Sequence, residues 1–129
     1  MSHQMLERPI TLTSNPGLLG GAVLLAAISG GIHLLLALEE WGEPGEAVPF
    51  LLAGIGFFLG IALLLFTEKR RRLLSLLGAG FTAVQVPLWV LGGMDEFTIG
   101  VADKVVQVLL VAVLLYAFVQ SSRPTERPR

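Results

Sequence analysis

Five polar side chains stand inside segments that are otherwise apolar: His33, Gln85, Asp103, Lys104 and Gln107. Polar groups are costly to place in an apolar environment, so such residues are candidates for function by default. His33 can exchange a proton near neutral pH, and Asp103 offers a second titratable group. These residue types predict a ligand-binding or proton-handling site if the helices that carry them bring them together.

The spacing of these residues places them on shared helix faces. Asp103 and Gln107 are four positions apart, and Lys104 and Gln107 are three apart, so each pair lies on one face of a helix. Counted along the apolar segments, all five residues fall at similar depth, in the outer half of a membrane. We therefore hypothesise one pocket, open to the outside, for a small ligand, a quinone or a proton, with His33 and Asp103 as its titratable pair.

A structural interpretation of the same residues stays open beside the functional one. Polar side chains of different helices can form a hydrogen-bond network that fixes how the helices pack. Helical side chains lean toward the N-terminus, so Lys104 can reach out to lipid headgroups or to Glu96. Asp103 can equally pair with Lys104. Both interpretations predict that the polar side chains meet.

The elements that must position these residues are four long apolar segments at residues 17–38, 47–66, 73–94 and 97–120. Each has the roughly 20 residues that a helix needs to cross a bilayer. Charged residues make up 15% of the chain, against about 25% in soluble domains, which is too few to cover a water-facing surface. The sequence predicts an all-α fold, a four-helix transmembrane bundle over residues 16–120, between an N-terminal tail (1–15) and a basic C-terminal tail (121–129).

Local signals mark where two of these helices begin. Asn15 can accept hydrogen bonds from free amides at a helix start, and Pro16 suits the first helical position. Pro49 is predicted to lie in the first turn of the second helix, where no backbone donor is lost. The pair Pro44 and Gly45 is predicted to form a turn in the loop before that helix.

The distribution of charge predicts the orientation of the bundle. Lysine and arginine near the ends of membrane helices mark the cytoplasmic side. Every basic residue except Lys104 falls on one side: Arg8, Lys69, Arg70, Arg71, Arg72, Arg123, Arg127 and Arg129. The loops of the other side carry Glu39, Glu40, Glu43, Glu46, Asp95 and Glu96. We expect an up-down-up-down bundle in the plasma membrane with both termini cytoplasmic, in which Lys69, Arg70, Arg71 and Arg72 anchor the topology and contact headgroups.

Small residues recur at the four-residue spacing that lets membrane helices approach closely. Gly56 and Gly60 form a GxxxG pattern, and Ala22, Ala26 and Gly30 repeat in the first segment. One interpretation is a dedicated face for dimerisation. The other is ordinary contact between helices of one bundle.

Several chemistries are excluded or disfavoured by composition. The chain has no cysteine, so disulfides and thiol redox chemistry are absent. Haem held by two histidines would need a second chain, because His33 is the only histidine in an apolar segment. No metal-ligand cluster, phosphate loop or catalytic nucleophile is evident, so we expect no catalytic residue, no metal and no cofactor. Nucleic acid is not an expected partner.

Three stretches resemble uncharacterised four-span membrane proteins of haloarchaea: residues 29–34 (SGGIHL), 49–54 (PFLLAG) and 102–110 (ADKVVQVLL). In size, number of spans and placement of both ends, the chain is also loosely similar to small prokaryotic DoxX-like proteins. The resemblance implies a prokaryotic, archaeal origin and the same topology, and it carries no activity.

The sequence thus predicts an integral membrane protein of unknown biochemical activity. We expect a non-enzymatic accessory subunit or a small homo-oligomer, whose partners are the lipid bilayer and a membrane protein or further copies of the chain. The alternative is a protein that handles a small ligand, a quinone or a proton in the polar pocket.

Overall fold

The computed structural model describes residues 15–94 and 96–122, and for residues 121 and 122 it describes the backbone only. Four helices fill these residues: α1 (Pro16–Glu39), α2 (Pro44–Phe66), α3 (Arg71–Leu91) and α4 (Phe97–Ser122). A single 3-10 turn, Glu68–Arg70, links α2 to α3, and the described chain contains no strand. The all-α prediction of four helices is confirmed. The N-terminal tail before Asn15, Asp95, and the basic residues Arg8, Arg123, Arg127 and Arg129 lie outside the described residues.

All four helices are long and apolar enough to cross a membrane. Their outward faces carry large apolar side chains, and Phe66 and Leu91 at two helix ends are 85% and 84% exposed. Helices that are apolar on all sides are typical of a lipid environment, because water would leave these faces unfavourably hydrated.

The beginnings of α1 and α2 follow different local rules. The side chain of Asn15 accepts a hydrogen bond from the Leu18 amide at 3.1 Å, and Pro16 is the first helical residue, as predicted. The prediction for Pro49 is wrong: α2 begins at Pro44, so Pro49 lies inside the helix. Pro44 suits the first helical position, and Glu46 in the first turn faces the positive end of the helix dipole. The acidic loop is accordingly shorter than the sequence suggested.

The turn between α3 and α4 requires left-handed backbone. Gly93 has a φ of 100°, and Met94 and Glu96, which follow it, have φ values of 57° and 52°. Glycine adopts this conformation without steric cost, and here it allows the chain to reverse within a few residues. The turn places Glu96 near the start of α4, at the same end of the molecule as Glu43 and Glu46. We call this end of the bundle the acidic end, and the end with residues 68–72 the basic end.

Helix α1 packs against both α2 and α4, and α3 packs against α4. Gly30 of α1 meets Phe57 and Phe58, whereas Gly54 of α2 meets Leu34, so the contacts run in opposite directions along α1 and α2. The core between the helices is built from small and aliphatic side chains with one aromatic ring: Ala22, Ala26, Phe57, Leu64, Ala79, Leu110, Leu114 and Ala117.

Helices α2 and α3 are consecutive in the chain but contact each other sparsely. The ring of Phe81 bridges them: it lies where a Cβ on Gly56 would stand, and it packs edge-on against Phe57 with ring centroids 5.1 Å apart. Of the two glycines in the GxxxG pattern, Gly56 makes its close contact inside the bundle, with Phe81. A Cβ on Gly60 would meet no atom within 4 Å. A crevice consequently runs between α2 and α3 on either side of Phe81.

Candidate functional site

The buried carboxylate of Asp103 on α4 is the centre of a polar cluster. The hydroxyl of Ser29 on α1 donates to Asp103 Oδ1 at 2.7 Å, and the ammonium of Lys104 donates to Oδ2 at 2.9 Å. Asp103 is 2% exposed and Ser29 is fully buried. A buried carboxylate needs such partners, because leaving it unpaired in an apolar interior is very costly.

His33, one helical turn after Ser29, presents one ring nitrogen to this carboxylate. Its Nδ1 lies 2.8 Å from the carbonyl oxygen of Ser29. A carbonyl oxygen only accepts, so Nδ1 carries a hydrogen and donates it. In neutral His33 the other nitrogen, Nε2, is therefore a bare acceptor, and it lies 3.7 Å from Asp103 Oδ2. The site thus offers a proton-accepting nitrogen beside a carboxylate.

Gln107 and Gln85 extend the cluster from α4 to α3. The Nε2 group of Gln107 donates to Ser29 Oγ at 3.2 Å and to Gln85 Oε1 at 2.8 Å. Gln85 in turn donates to the Phe81 carbonyl at 3.0 Å. Gln107 is fully buried, and its Oε1 is the one buried side-chain oxygen of the described residues without a hydrogen-bond partner. Three helices are joined by this chain of hydrogen bonds.

A cavity of about 470 Å³ borders the cluster on the side of α2 and α3. This volume lies in the range of small-molecule sites, about 300–1,000 Å³. Its polar lining comes from His33, Gln85, Asp103 and Lys104, with Glu46 and Glu96 toward the acidic end. Its apolar lining includes the rings of Phe50, Phe81 and Trp89. We call it the polar cavity.

The ammonium of Lys104 makes two contacts in this cavity. Its ammonium pairs with Asp103 and lies 5.6 Å from the centre of the Trp89 ring, within cation–π range. Trp89 also stacks on Phe97, with ring centroids 6.0 Å apart. A Cβ on Gly100 would lie 2.7 Å from the indole, so only glycine lets the ring lie against α4 there.

The structure brings together all five polar residues singled out from the sequence. These residues lie in the halves of their helices toward the acidic end: His33, Gln85, Asp103, Lys104 and Gln107. Sequence reasoning missed the role of Ser29, which was not among the polar residues singled out. Its position four residues before His33, on the same helix face, was the available signal. Glu46 was expected only as a loop charge, and Glu96 as a loop charge within reach of Lys104; both also line the cavity.

The basic residues between α2 and α3 divide into two kinds. Lys69 and Arg70 are exposed. Arg71 donates from Nε to the Leu64 carbonyl at 2.6 Å and from a terminal nitrogen to the Leu65 carbonyl at 3.2 Å. The guanidinium of Arg72 lies 4.5 Å from the centre of the Phe118 ring. Arg71 therefore satisfies carbonyls at the end of α2, a contribution that charge counting did not predict.

The described residues lack the groups of ligating side chains that usually hold metal ions in proteins. Residues 15–94 and 96–122 contain no group of three His, Cys, Asp or Glu side chains arranged to hold a metal ion. The chemical capacity of the site is hydrogen bonding and proton exchange, supplied by imidazole, carboxylate, ammonium and amide groups.

Four apolar helices around a buried polar cluster define a multi-pass integral membrane protein of unknown activity. The chain belongs to a family of unknown function (DUF7475), whose model matches residues 8–118. No curated protein and no solved structure matches it.

Proposed function

We propose that this protein binds a small ligand in the polar cavity and exchanges protons with it through His33. The observation that carries the proposal is the position of His33 Nε2 as an acceptor, 3.7 Å from the Asp103 carboxylate and at the wall of a 470 Å³ cavity. Polar residues at membrane depth are expensive, and those that line a cavity are typical of ligand and ion pathways. A purely structural network would not require the cavity beside it.

The roles of the individual groups follow from their hydrogen bonds. The Ser29 carbonyl fixes the His33 ring so that Nε2 can take a proton from a ligand hydroxyl. Asp103 Oδ2 lies 3.7 Å from this nitrogen and already accepts from Lys104. Lys104 has donors left after its bond to Asp103, and Gln85 retains one amide hydrogen, so both can bind a ligand oxygen.

The proposal includes the membrane orientation. The bundle runs up-down-up-down through the plasma membrane, with both termini cytoplasmic and the polar cavity in the outer half. The support is the charge of the two ends: basic residues at 69–72 on one side and only acidic charges in the loops of the other. Lys69, Arg70, Arg71 and Arg72 anchor this topology at the cytoplasmic headgroups. An archaeal origin, as in the four-span haloarchaeal proteins, and the looser DoxX-like resemblance belong to this proposal as well.

The decisive experiment is native mass spectrometry of the full chain after gentle detergent extraction, with two His33 variants compared. His33→Asn retains a donor where Nδ1 lies but has nothing at the Nε2 position, and His33→Gln retains a polar group at that position. We expect a small molecule to stay bound to the parent protein and to His33→Gln more than to His33→Asn. A protein that carries no small molecule, or equal retention by both variants, contradicts the proposal.

A second function, an accessory subunit or a homo-oligomer without enzymatic activity, is supported by the sparse contact between α2 and α3. Adjacent helices that leave a crevice between them offer a surface that a helix of another chain can fill. The same mass measurement tests this function. A membrane-protein partner or a second copy that remains bound supports it, and recovery of a bare monomer contradicts it.

A further inference from the structure

The crevice between α2 and α3 contains a second cavity, which is apolar. It has a volume of about 300 Å³ and lies toward the basic end, between residues such as Gly60 and Leu64 of α2 and Leu74 and Gly78 of α3. Thr82 is its only lining residue with a polar side chain, and that hydroxyl donates to the Gly78 carbonyl of its own helix. We call it the apolar cavity.

The polar and apolar cavities meet at one side chain. Phe81 lines both of them, and its ring bridges from α3 to Gly56 of α2. From Gln85 in the polar cavity to Leu74 in the apolar one, the crevice follows α3 for about 16 Å, at 1.5 Å per residue. The Phe81 ring fills the space beside Gly56, so the two cavities connect only when this ring changes rotamer. With the ring turned aside, the two cavities can serve as the head and tail halves of one elongated site.

The charges of the polar cavity select the kind of head group. The lining contains three carboxylates, those of Glu46, Glu96 and Asp103, and one ammonium, that of Lys104, so its net charge disfavours an anionic head. A cationic head would compete with Lys104, which already occupies both Asp103 and the face of Trp89. A neutral head with hydroxyl or carbonyl oxygens matches the donors that remain on Lys104 and Gln85 and the acceptor Nε2 of His33.

Resting on the proposed ligand site, we propose that its ligand is a neutral membrane amphiphile with an oxygen-bearing head and a single apolar tail. The head occupies the polar cavity against His33 and Lys104, and the tail passes Phe81 into the apolar cavity. Such a molecule enters sideways from the bilayer, because both cavities are partly open along the side of the bundle. The alternative occupant of the apolar cavity, one chain of any neighbouring phospholipid, is an outcome of the test.

Trp89 provides a reporter for the head half of the site. It lines the polar cavity, and the chain has one other tryptophan, Trp41, which lies exposed near the end of α1. In the full chain with Trp41→Phe, indole fluorescence reports on Trp89 alone. The probes are a benzoquinone that carries a decyl tail and the same benzoquinone without the tail, both of which quench indole emission. Titration in nanodiscs of neutral lipid at a fixed lipid-to-protein ratio keeps partitioning constant.

Two glycine variants separate the tail half from general effects. Gly60→Leu fills the apolar cavity, and Gly80→Leu adds the same side chain on α3 outside both cavities. A Cβ at either position meets no atom within 4 Å, so neither substitution introduces a clash at the backbone. We expect saturable quenching by the tailed probe, weakened about tenfold by Gly60→Leu and unchanged by Gly80→Leu, because several buried methylenes are lost. Quenching by the tail-free probe should be weaker and insensitive to Gly60→Leu.

Three results would overturn the inference, and each is distinct from failure of the ligand site itself. The first is equal affinity for the two probes, or an affinity for the tailed probe that Gly60→Leu does not change. In that case the polar cavity still binds a ligand, but the apolar cavity does not bind its tail. The second is a two-chain phospholipid that stays bound to the parent protein in native mass spectrometry and is lost in Gly60→Leu, which marks the apolar cavity as an ordinary lipid contact. The third is an absence of saturable quenching, which removes this ligand class, whereas the proposed function is decided by the His33→Asn and His33→Gln comparison.

Discussion

Ser29 and Asp103 join α1 to α4 through a hydrogen bond of 2.7 Å between a hydroxyl and a carboxylate. Both residues are buried, and the Ser29 hydroxyl oxygen also accepts from Gln107, one turn further along α4. One small side chain therefore satisfies two polar groups of the neighbouring helix. Their alignment fixes how far α1 can slide along α4, since a shift by one residue would break both bonds.

Replacing Ser29 by alanine should destabilise the bundle by about 1–2 kcal/mol. The substitution leaves Asp103 Oδ1 and one Gln107 hydrogen without their partner, and interhelical hydrogen bonds in membranes are worth about 1 kcal/mol each. The measurement is the loss of helical circular dichroism on titration with sodium dodecyl sulfate, for the parent protein and Ser29→Ala.

Ser75→Ala is the matched control for that measurement. Ser75 is equally buried, but its hydroxyl donates only to the Arg71 carbonyl within its own helix. We expect its effect to be smaller, because its loss leaves no group of another helix unpaired. Equal effects of the two substitutions would show that the contact between Ser29 and Asp103 does not stabilise the bundle.

The pairing of Asp103 with Lys104 predicts a second, larger effect. Lys104→Met removes the ammonium and leaves a buried carboxylate with its charge uncompensated, which should cost about 3 kcal/mol. Adding Asp103→Asn removes that charge and should recover much of the loss. The same unfolding titration, applied as a double-mutant cycle, measures the coupling. Additive effects would mean that the two charges do not interact in the folded bundle.

The helical framework of the site was predictable from the sequence because it rests on local patterns. Apolar segments of membrane length set the four helices, and the spacing of Asp103 and Gln107 put them on one face. The proximity of His33 to Asp103 could be predicted only on the assumption that both residues face the inside of the bundle. That assumption depends on how α1 is rotated relative to α4, which local patterns do not determine.

What the sequence did not reveal depends on contacts between distant helices. Ser29 looked like one small residue among several, and its hydrogen bond becomes evident only when Asp103 lies opposite. Helices α2 and α3 are consecutive in the chain but contact each other sparsely, and the ring of Phe81 on Gly56 bridges the crevice between them. The start of α2 at Pro44 was missed because a proline and a glycine together resemble a turn, although proline also suits the first helical position.

The absence of cysteine from the chain makes the membrane orientation directly testable. Glu43→Cys places one thiol in the loop after α1, and Lys69→Cys places one in the basic turn, where both positions are exposed. A maleimide that cannot cross membranes should label intact cells carrying Glu43→Cys, and should label Lys69→Cys only after lysis. Labelling of Lys69→Cys in intact cells would reverse the proposed topology, and equal labelling of both would indicate insertion in two orientations.

Arg71 should matter for stability, whereas Arg70 should not. Arg71 donates to the carbonyls of Leu64 and Leu65 at the end of α2, so Arg71→Ala leaves these groups without that donor. We expect a loss of about 1–2 kcal/mol, against little change for the exposed Arg70→Ala. Each variant removes one positive charge, so the maleimide assay should report the same orientation for both. If the two variants are equally stable, Arg71 serves only as part of the basic cluster.

The closest approach of α1 to α2 predicts opposite effects for two glycine substitutions. A Cβ on Gly54 would lie 2.6 Å from Leu34 Cδ2 and 3.1 Å from the Gly30 carbonyl oxygen, so Gly54→Ala must displace the Leu34 side chain and strain the contact with the α1 backbone. We expect a loss of about 1–3 kcal/mol, as for other overpacked cores. A Cβ on Gly31 meets no atom within 4 Å, so Gly31→Ala should gain about 0.5–1 kcal/mol from its better helix propensity. The detergent titration measures both. A loss of stability in Gly31→Ala, together with a change in mass by native spectrometry, would mean that this face of α1 packs against another chain and would favour the accessory-subunit or homo-oligomer function.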